Sequence, residues 1–325
     1  MKRFNGESEE MDNLKASEAK IINGQKRKRA AMKYLFIISI IGFQLVNFVI
    51  FYVVQNFNSI IMAFQLKKSG GVIWTFENFS RIYNAFFGSG EKSELMISLT
   101  NTFRFFLLGL IMFPVSFVTS YFMYKKVAGH NFFRLVFFLP SILSAVVWTT
   151  LYKEIVGPEG PIVKLLMFLR NTDEPMLLLA DPKHAIWTVM AYSVWMGIAG
   201  NFILYGGALS RIPPEVIEAG QLDGIGWFKE MTHVIVPLIF PTIGMLFLLQ
   251  LTGIFTASGQ ILLLTNGAFE TNTILFFIFQ NVYNVPETSN QYNYASAVGI
   301  VFTLLTIPVV FLVRSLLNRI EDVQY

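Results

Sequence analysis

Six long apolar segments divide this sequence, and polar, charged stretches separate them. A helix that crosses a membrane needs about 20 mostly apolar residues without charge. The pattern therefore predicts an all-α polytopic membrane protein. The predicted spans cover about 34–54, 97–124, 135–152, 185–208, 237–257 and 293–313.

A seventh apolar run, from Thr273 to Val282, is too short to span a bilayer. We interpret it as an interfacial or re-entrant helix, with an ordinary loop as the alternative. Residues 1–31 are polar, charged and poor in aromatic side chains, which predicts a disordered basic cytoplasmic tail. The transmembrane domain then covers 32–315, and 316–325 form a second cytoplasmic tail.

The composition supports a membrane protein. Hydrophobic residues make up 54% of the chain and charged residues 14%, against about 25% charged in ordinary soluble domains. The chain has no Cys, which excludes a disulfide scaffold, a thiolate zinc site and a Cys nucleophile.

The distribution of Lys and Arg predicts the orientation. Sixteen of them lie in the N-terminal tail, the 125–134 loop, the 208–236 loop and the C-terminal tail, and eight lie in the other loops. Because Lys and Arg are retained on the cytoplasmic side, both termini are predicted to be cytoplasmic. A multi-pass membrane location is therefore expected.

The predicted spans contain no Asp or Glu. Ion pumps and proton-coupled transporters usually carry ionisable groups at membrane depth, so the pattern argues against both. Uncharged polar and aromatic residues are present instead, and they suit a neutral polyhydroxylated ligand such as a sugar. The alternative, which we favour for any single one of these residues, is that they hold helices together. The candidates for a substrate path are Tyr192, Trp195, Asn201, Gln250 and Thr306.

Catalytic signatures are missing. The three His residues do not form an HExxH pattern, and there is no GxSxG sequence. We therefore expect a transport subunit that is not an enzyme, with no cofactor and no metal in this chain.

The loop between the fourth and fifth predicted spans contains two short helices. Pro213 and Pro214 suit the first helical positions, where no N–H donor is needed. Asp223-Gly224 is a stop signal. A second helix then presents Trp227, Met231 and Val234 as an apolar stripe before Pro237 begins the fifth span. From these residues alone, a docking surface and an interfacial amphipathic segment are both open.

The same loop resembles the EAA loop of bacterial ABC importer permeases. Glu218-Ala-Gly is followed by three residues, Gly224, nine residues and Val234-Ile-Val-Pro237. The family pattern is E-A-A, three residues, G, nine residues and I-x-L-P, so the spacing agrees throughout. Gly220, Val234 and Val236 are conservative departures.

The resemblance implies the type I ABC importer permease fold, in which loop 211–236 is the coupling helix seated in a cleft of the ATPase. By this resemblance Glu218 contacts the ATPase, Ala219 and Gly220 allow close packing, and Gly224 makes the turn. The predicted coupling residues are Glu215, Glu218, Ala219, Gly220, Asp223, Gly224 and Pro237.

Other segments resemble the carbohydrate subgroup, similar to the larger permease subunit of the maltose transporter. They are Phe76–Phe79, Asn101-Thr102, Phe132–Pro140 with Trp148, and Asn290–Val298. The segment Thr265–Phe269 departs from the T-x-G-G-P sequence that is usual after the fifth span, which leaves the outer gate and the substrate open.

The resemblance implies an ATP-driven importer of a sugar or oligosaccharide, with this chain forming half of the translocation pathway. The implied partners are a second permease subunit of similar fold, two ATPase subunits that carry ATP and Mg, an extracellular substrate-binding protein and membrane lipid, with no nucleic acid. An ABC importer for a non-sugar solute, a stand-alone secondary transporter and a membrane enzyme acting on lipid-linked sugars are the alternatives.

Overall fold

A computed structural model describes residues 26–29, 31–68, 71–88, 93–198, 201–283, 285–286 and 289–319. In this part of the chain four helices are long and apolar enough to cross a membrane, and the number is six if each of two bent helix pairs counts as one span. The predicted class, a helical polytopic membrane protein, is confirmed. The helices are α1 (Lys26–Ala63), α2 (Glu77–Phe87), α3 (Glu94–Tyr124), α4 (His130–Ile142), α5 (Ala145–Val156), α6 (Pro161–Arg170), α7 (Ala185–Gly197), α8 (Phe202–Leu209), α9 (Pro214–Leu222), α10 (Trp227–Leu238), α11 (Phe240–Thr252), α12 (Gly259–Leu264), α13 (Ile274–Tyr283) and α14 (Gln291–Leu317).

The first compact unit of the chain ends at Ile61 and contains most of α1. α1 has 38 residues, which is about 57 Å of helix and exceeds the roughly 30 Å hydrocarbon core of a bilayer. The prediction of a disordered tail over 1–31 is wrong for Lys26–Arg29, which are helical. Lys and Arg are good helix formers, so these residues extend the helix that the apolar run begins. Residues 1–25 lie outside the described residues.

The second unit covers the chain from Met62 and begins with a β-hairpin that the sequence pattern did not predict. Strands β1 (Gln65–Lys68) and β2 (Gly71–Trp74) pair antiparallel. The buried side chain of Asn78, in α2, donates to the backbone carbonyls of Ala63 and Gln65 at 3.0 Å each. This amide fixes the hairpin against α2.

α3 is one continuous helix of 31 residues, and it contains the whole predicted second span, 97–124. Ser93 caps it: its hydroxyl accepts from the N–H of Met96 at 3.2 Å and donates to the carbonyl of Ala85 at 2.6 Å. An N-cap hydroxyl satisfies a backbone donor that the first helical turn leaves unpaired. Pro114 lies inside the helix without ending it.

The third predicted span, 135–152, is broken in the structure. The two helices on either side of the break are bent by 102°. Leu143 is extended, with ψ of 153°, and the hydroxyl of Ser144 accepts from the N–H of Val147 at 3.4 Å. A Ser N-cap begins a new helix at this point, so two helices share the predicted span.

The fifth predicted span also begins differently. α10 and α11 are bent by 79° around Ile239, whose φ and ψ are −102° and 11°. Pro241 has no N–H to continue the hydrogen bonds of α10 and instead occupies the first turn of α11. Pro237 therefore lies in the last turn of α10, and the straight part of the span runs from Phe240 to Thr252.

The seventh apolar run forms a helix, as predicted. α13 has ten residues and buries Ile274, Phe276 and Phe277. Ile274 and Phe277 pack in one cluster with Leu95 of α3 and Val298 of α14. α13 therefore packs against the two long helices α3 and α14.

Candidate coupling surface and polar cavity

The helix α9 begins as the sequence predicts. Pro213 is its N-cap, and Pro214 occupies the first helical position, where a missing N–H removes no hydrogen bond. Glu215 lies in the first turn. A carboxylate there interacts favourably with the unpaired N–H groups of the helix start. The local sequence is thus sufficient to place this helix.

The end of α9 is a Schellman motif, which explains two of the predicted residues. The N–H of Ile225 donates to the carbonyl of Gly220 at 3.2 Å, and the N–H of Gly224 donates to that of Gln221 at 3.1 Å. Gly224 has φ of +71°, the left-handed conformation that this motif needs and that glycine adopts without steric cost. A Cβ at Gly220 would lie 2.8 Å from Ile225 Cδ1. Gly220 and Ile225 therefore pack closely at the turn.

One face of α9 is buried and the other is open. Ile217 is buried in a cluster with Tyr205, Leu209 and Ile239. The opposite side chains are exposed, and Leu222 at the tip is 88% exposed. The exposed coupling residues are Glu215, Glu218, Ala219, Asp223 and Gly224. We call α9 with these residues and Leu222 the coupling surface. It combines acidic side chains with one free apolar side chain.

The second limb of the loop, α10, is anchored more deeply than the sequence predicts. It continues from Trp227–Lys229 into a π-helical segment, Glu230–Ile235. A π turn contains an extra residue, so Met231, Ile235 and Ile239 are buried, and Val234 is not fully buried. In the predicted stripe of Trp227, Met231 and Val234, Met231 is buried as expected. The next buried residue is Ile235 and not Val234.

A buried ion pair joins α10 to the end of α3. Lys125 Nζ lies 2.8 Å from Glu230 Oε1 and 3.0 Å from Oε2, and the Glu230 side chain is 3% exposed. The hydroxyl of Tyr121 donates to Oε1 at 3.2 Å. The ring of Trp227 packs on Phe122 with centroids 5.3 Å apart. The sequence analysis missed these residues. The available signal was Glu230, a single acid beside the apolar stripe of the loop. Its possible partners were the basic residues that follow a span, Lys125 and Lys126.

At the opposite end of α3, buried amides hold a loop. Asn101 Nδ2 donates to the carbonyls of Glu270 at 2.6 Å and Asn272 at 2.9 Å. Thr102 Oγ1 accepts from the N–H of Ile274 at 2.9 Å. The held loop, 265–273, has a run of left-handed residues, namely Asn266, Gly267, Phe269 and Glu270. This is the segment that departs from the usual T-x-G-G-P sequence.

Two of the predicted path residues line one cavity. Asn201 and Gln250 face a space of about 400 Å³ together with Phe105, Thr256 and apolar side chains, and no Asp, Glu, Lys or Arg is among its described lining residues. Neither side-chain amide is hydrogen-bonded to another residue in the described part of the chain. We call this space the polar cavity. Asn201 and Gln250 are the two amide side chains among its described lining residues.

The other three predicted path residues lie elsewhere. Tyr192 is 4% exposed and packs on Tyr152 with ring centroids 5.1 Å apart. Trp195 packs on Trp148 at 4.9 Å in the same aromatic core. Thr306 lines a different cavity, of about 450 Å³, and its hydroxyl donates to the carbonyl of Phe302. The structure therefore assigns packing to Tyr192 and Trp195 and separates Thr306 from Asn201 and Gln250.

No group of three or more His, Asp or Glu that could hold a metal ion occurs among the residues that the structure describes.

The sequence model of the family described as "Binding-protein-dependent transport system inner membrane component" matches residues 107–322. This range contains the coupling surface, the Lys125–Glu230 pair and most of the polar cavity.

Several curated relatives are similar in sequence. The "Multiple sugar-binding transport system permease protein MsmF" of Streptococcus mutans is 31% identical over 55% of this chain and 61% of its own length. The "Probable ABC transporter permease protein YurN" of Bacillus subtilis is 30% identical over 54% and 60%. The chain thus spans about 60% of the length of these two relatives. The "Polygalacturonan/rhamnogalacturonan transport system permease protein YteP" of Bacillus subtilis is 24% identical over 94% of this chain and 96% of its own.

The fold is similar to that of a solved transporter. A chain from the crystal structure of a bacterial ABC transporter involved in the import of the acidic polysaccharide alginate superposes with a TM-score of 0.74. It is 21% identical and covers 90% of this chain and 97% of that one. A second structure, of the alginate transporter in complex with alginate pentasaccharide-bound periplasmic protein, gives 0.73 at 20% identity.

Proposed function

Because this chain belongs to the family of binding-protein-dependent transport system inner membrane components, we propose that it is the transmembrane permease subunit of an ATP-driven importer, and that the cargo is a sugar or an oligosaccharide. The chain contributes transport, and ATP hydrolysis belongs to a separate subunit. In this proposal the chain forms half of the translocation pathway.

The coupling surface carries the proposal. Glu218, Asp223 and Leu222 project from a helix whose other face is fixed by burial of Ile217. A rigid helix that exposes three acids, Glu215, Glu218 and Asp223, and an apolar tip suits docking to a protein partner, because its shape is set before binding. The partner we propose is an ATPase subunit, and ATP and Mg bind there.

The polar cavity and the relatives support a sugar. Asn201 and Gln250 each offer a carbonyl acceptor and an amide donor. A sugar hydroxyl both donates and accepts hydrogen bonds, so each amide can pair with it in either role. MsmF is named for multiple sugars and YteP for polygalacturonan and rhamnogalacturonan. An importer for a non-sugar solute is the alternative within the family.

The assembly we propose contains a second permease of similar fold, two ATPase subunits and an extracellular substrate-binding protein. A solved relative in fold was captured with a sugar-bound periplasmic protein, which supports the last of these. We place the coupling surface and both termini at the cytoplasmic face of a bacterial plasma membrane. The polar cavity would then face the second permease and alternate between the two sides as the ATPases open and close.

The test is to purify this chain from native membranes, identify what accompanies it and reconstitute the complex in nanodiscs. We expect an ATPase subunit and a second permease to co-purify, and ATP hydrolysis to rise when the binding protein is added with its sugar. A chain that purifies alone and transports without ATP would contradict the proposal and support a stand-alone secondary transporter. Stimulation by a non-sugar ligand of the binding protein would contradict the sugar assignment alone.

A further inference from the structure

Among the described residues, Lys125–Glu230 is the one ion pair with a buried member. Removing a carboxylate from water is unfavourable, and apolar side chains of similar size often stabilise a protein equally well or better. Glu230 is nevertheless buried with two partners, Lys125 and the hydroxyl of Tyr121. A pair of this kind specifies one relative position of the two helices that carry it, because any other position leaves a buried charge unpaired.

The two helices are the second limb of the coupling loop and the long span α3. Glu230 is six residues after Gly224, the turn that ends the coupling surface. α10 is itself packed in the same cluster through Met231 and Ile235. A displacement of the coupling surface therefore reaches Glu230 through a short, packed segment of chain.

The helix α3 connects Lys125 with the polar cavity and with loop 265–273. It is an unbroken helix of 31 residues, about 46 Å long. Gly109, midway along it, contacts the side chain of Gln250 in the polar cavity. Asn101, near its far end, holds the backbone of loop 265–273.

We propose that the Lys125–Glu230 pair is the joint through which movement of the coupling surface is transmitted to α3, and through α3 to the polar cavity and loop 265–273. This inference rests on the proposed function, because it assumes an ATPase at the coupling surface. Lys125 and Glu230 are positioning residues, since neither lines the polar cavity nor belongs to the exposed coupling surface. The joint stays closed through the transport cycle.

A charge exchange tests the pair in the reconstituted complex. We expect Lys125→Glu and Glu230→Lys, each alone, to reduce the stimulation of ATP hydrolysis by loaded binding protein by about tenfold, the usual size of a coupling effect. The double variant K125E/E230K restores the pair with its charges reversed and should recover most of the stimulation. Lys126→Glu, at the exposed neighbouring lysine, and Glu174→Lys, at an exposed acid in another loop, are the matched controls.

Recovery in the double variant shows that the two side chains act through each other. A melting temperature and a basal rate of ATP hydrolysis that stay at the wild-type level in the single variants separate a joint from a merely stabilising contact. Wild-type stimulation in both single variants would overturn the inference. Loss in the single variants without recovery in the double variant would also overturn it.

If the single variants fail to assemble, the neutral pair K125M/E230Q replaces them, since it removes both charges and leaves no buried charge unpaired. It should assemble and show reduced stimulation, and full stimulation would overturn the inference. A second measurement uses the absence of Cys in the chain. The K125C/E230C variant, once joined by a short bis-maleimide, should keep coupled transport. Loss of transport after cross-linking would show that the joint opens and would contradict the proposal.

The wild-type complex distinguishes this inference from the proposed function. If no ATPase accompanies the chain, or loaded binding protein does not stimulate hydrolysis, the proposed function fails. If the wild-type complex is stimulated and the variants are stimulated equally, the joint alone fails.

Discussion

Gly109 lies directly against the side-chain amide of Gln250. A Cβ on residue 109 would overlap Gln250 Nε2, the end of a flexible side chain, so the amide would have to move if residue 109 carried a side chain. Because Gln250 lines the polar cavity, the space left at Gly109 affects where one of the two amides of the cavity can lie.

Substitution of Gly109 should therefore alter transport through Gln250. We expect Gly109→Ala to displace the amide and lower the maximal rate of sugar uptake by about tenfold, in line with the effect of one misplaced group on recognition. Gly299→Ala is the matched control, since a Cβ there meets Ile278 Cδ1 at an ordinary 3.9 Å. Uptake of labelled sugar into proteoliposomes measures both. Equal rates of sugar uptake in the two variants would contradict an effect of Gly109 on the polar cavity.

Charge reversal on the coupling surface should abolish transport without preventing insertion of the chain into the membrane. Glu218 is exposed on α9, so Glu218→Lys costs the fold little, and we expect the chain to reach the membrane in normal amount. Repulsion from a partner that pairs with an acid should abolish uptake and reduce recovery of the ATPase after affinity purification.

Glu159→Lys, at an exposed acid outside the coupling loop, is the control and should leave both unchanged. Normal ATPase recovery and normal uptake with Glu218→Lys would place the docking surface elsewhere.

The turn at Gly224 predicts a graded series of variants. Its φ of +71° is reached by Asn at small cost and by β-branched residues at roughly 1–2 kcal/mol. Pro cannot adopt this φ, and it also removes the N–H that bonds to the carbonyl of Gln221. Stimulated ATP hydrolysis should fall in the order wild type, Gly224→Asn, Gly224→Val, Gly224→Pro, with Gly224→Pro inactive.

Quantification of the chain in the membrane fraction shows whether each of these variants is inserted. If Gly224→Pro retains stimulation while Gly224→Asn loses it, the role of the left-handed turn is refuted.

Removal of the Asn101 amide should destabilise the end of α3 away from Lys125. Asn101→Ala leaves the carbonyls of Glu270 and Asn272 without this donor. An unsatisfied buried polar group costs about 1–3 kcal/mol. A thermal unfolding assay of the purified complex should show a clear decrease in melting temperature for Asn101→Ala. Thr100→Ala, at the exposed neighbour whose hydroxyl bonds within α3, should melt as the wild type does, and equal decreases for the two would contradict the tether.

Local sequence predicted the elements whose causes lie within a few residues. Pro213-Pro214 and Gly224 predicted the start and the turn at the end of α9, because the missing N–H of Pro and the left-handed φ of Gly act on neighbouring atoms only. The hydropathy pattern did not predict the breaks at Leu143 and Ile239, which lie beside Ser144 and Pro241. A hydropathy pattern averages over a whole span, so it registers apolar length and not the single cap or proline that divides it.

The sequence by itself determined that the chain crosses a membrane several times and that one loop exposes acids on a short helix, because uncharged length and turn chemistry are properties of adjacent residues. The tertiary structure decided which distant side chains meet: Glu230 with Lys125 across 105 residues, Gly109 with Gln250, and Tyr192 in a packed core apart from Asn201. These pairings depend on how each helix is rotated about its axis. That rotation is set by the packing of whole clusters and by the extra residue of a π turn, and no stretch of sequence read alone contains it.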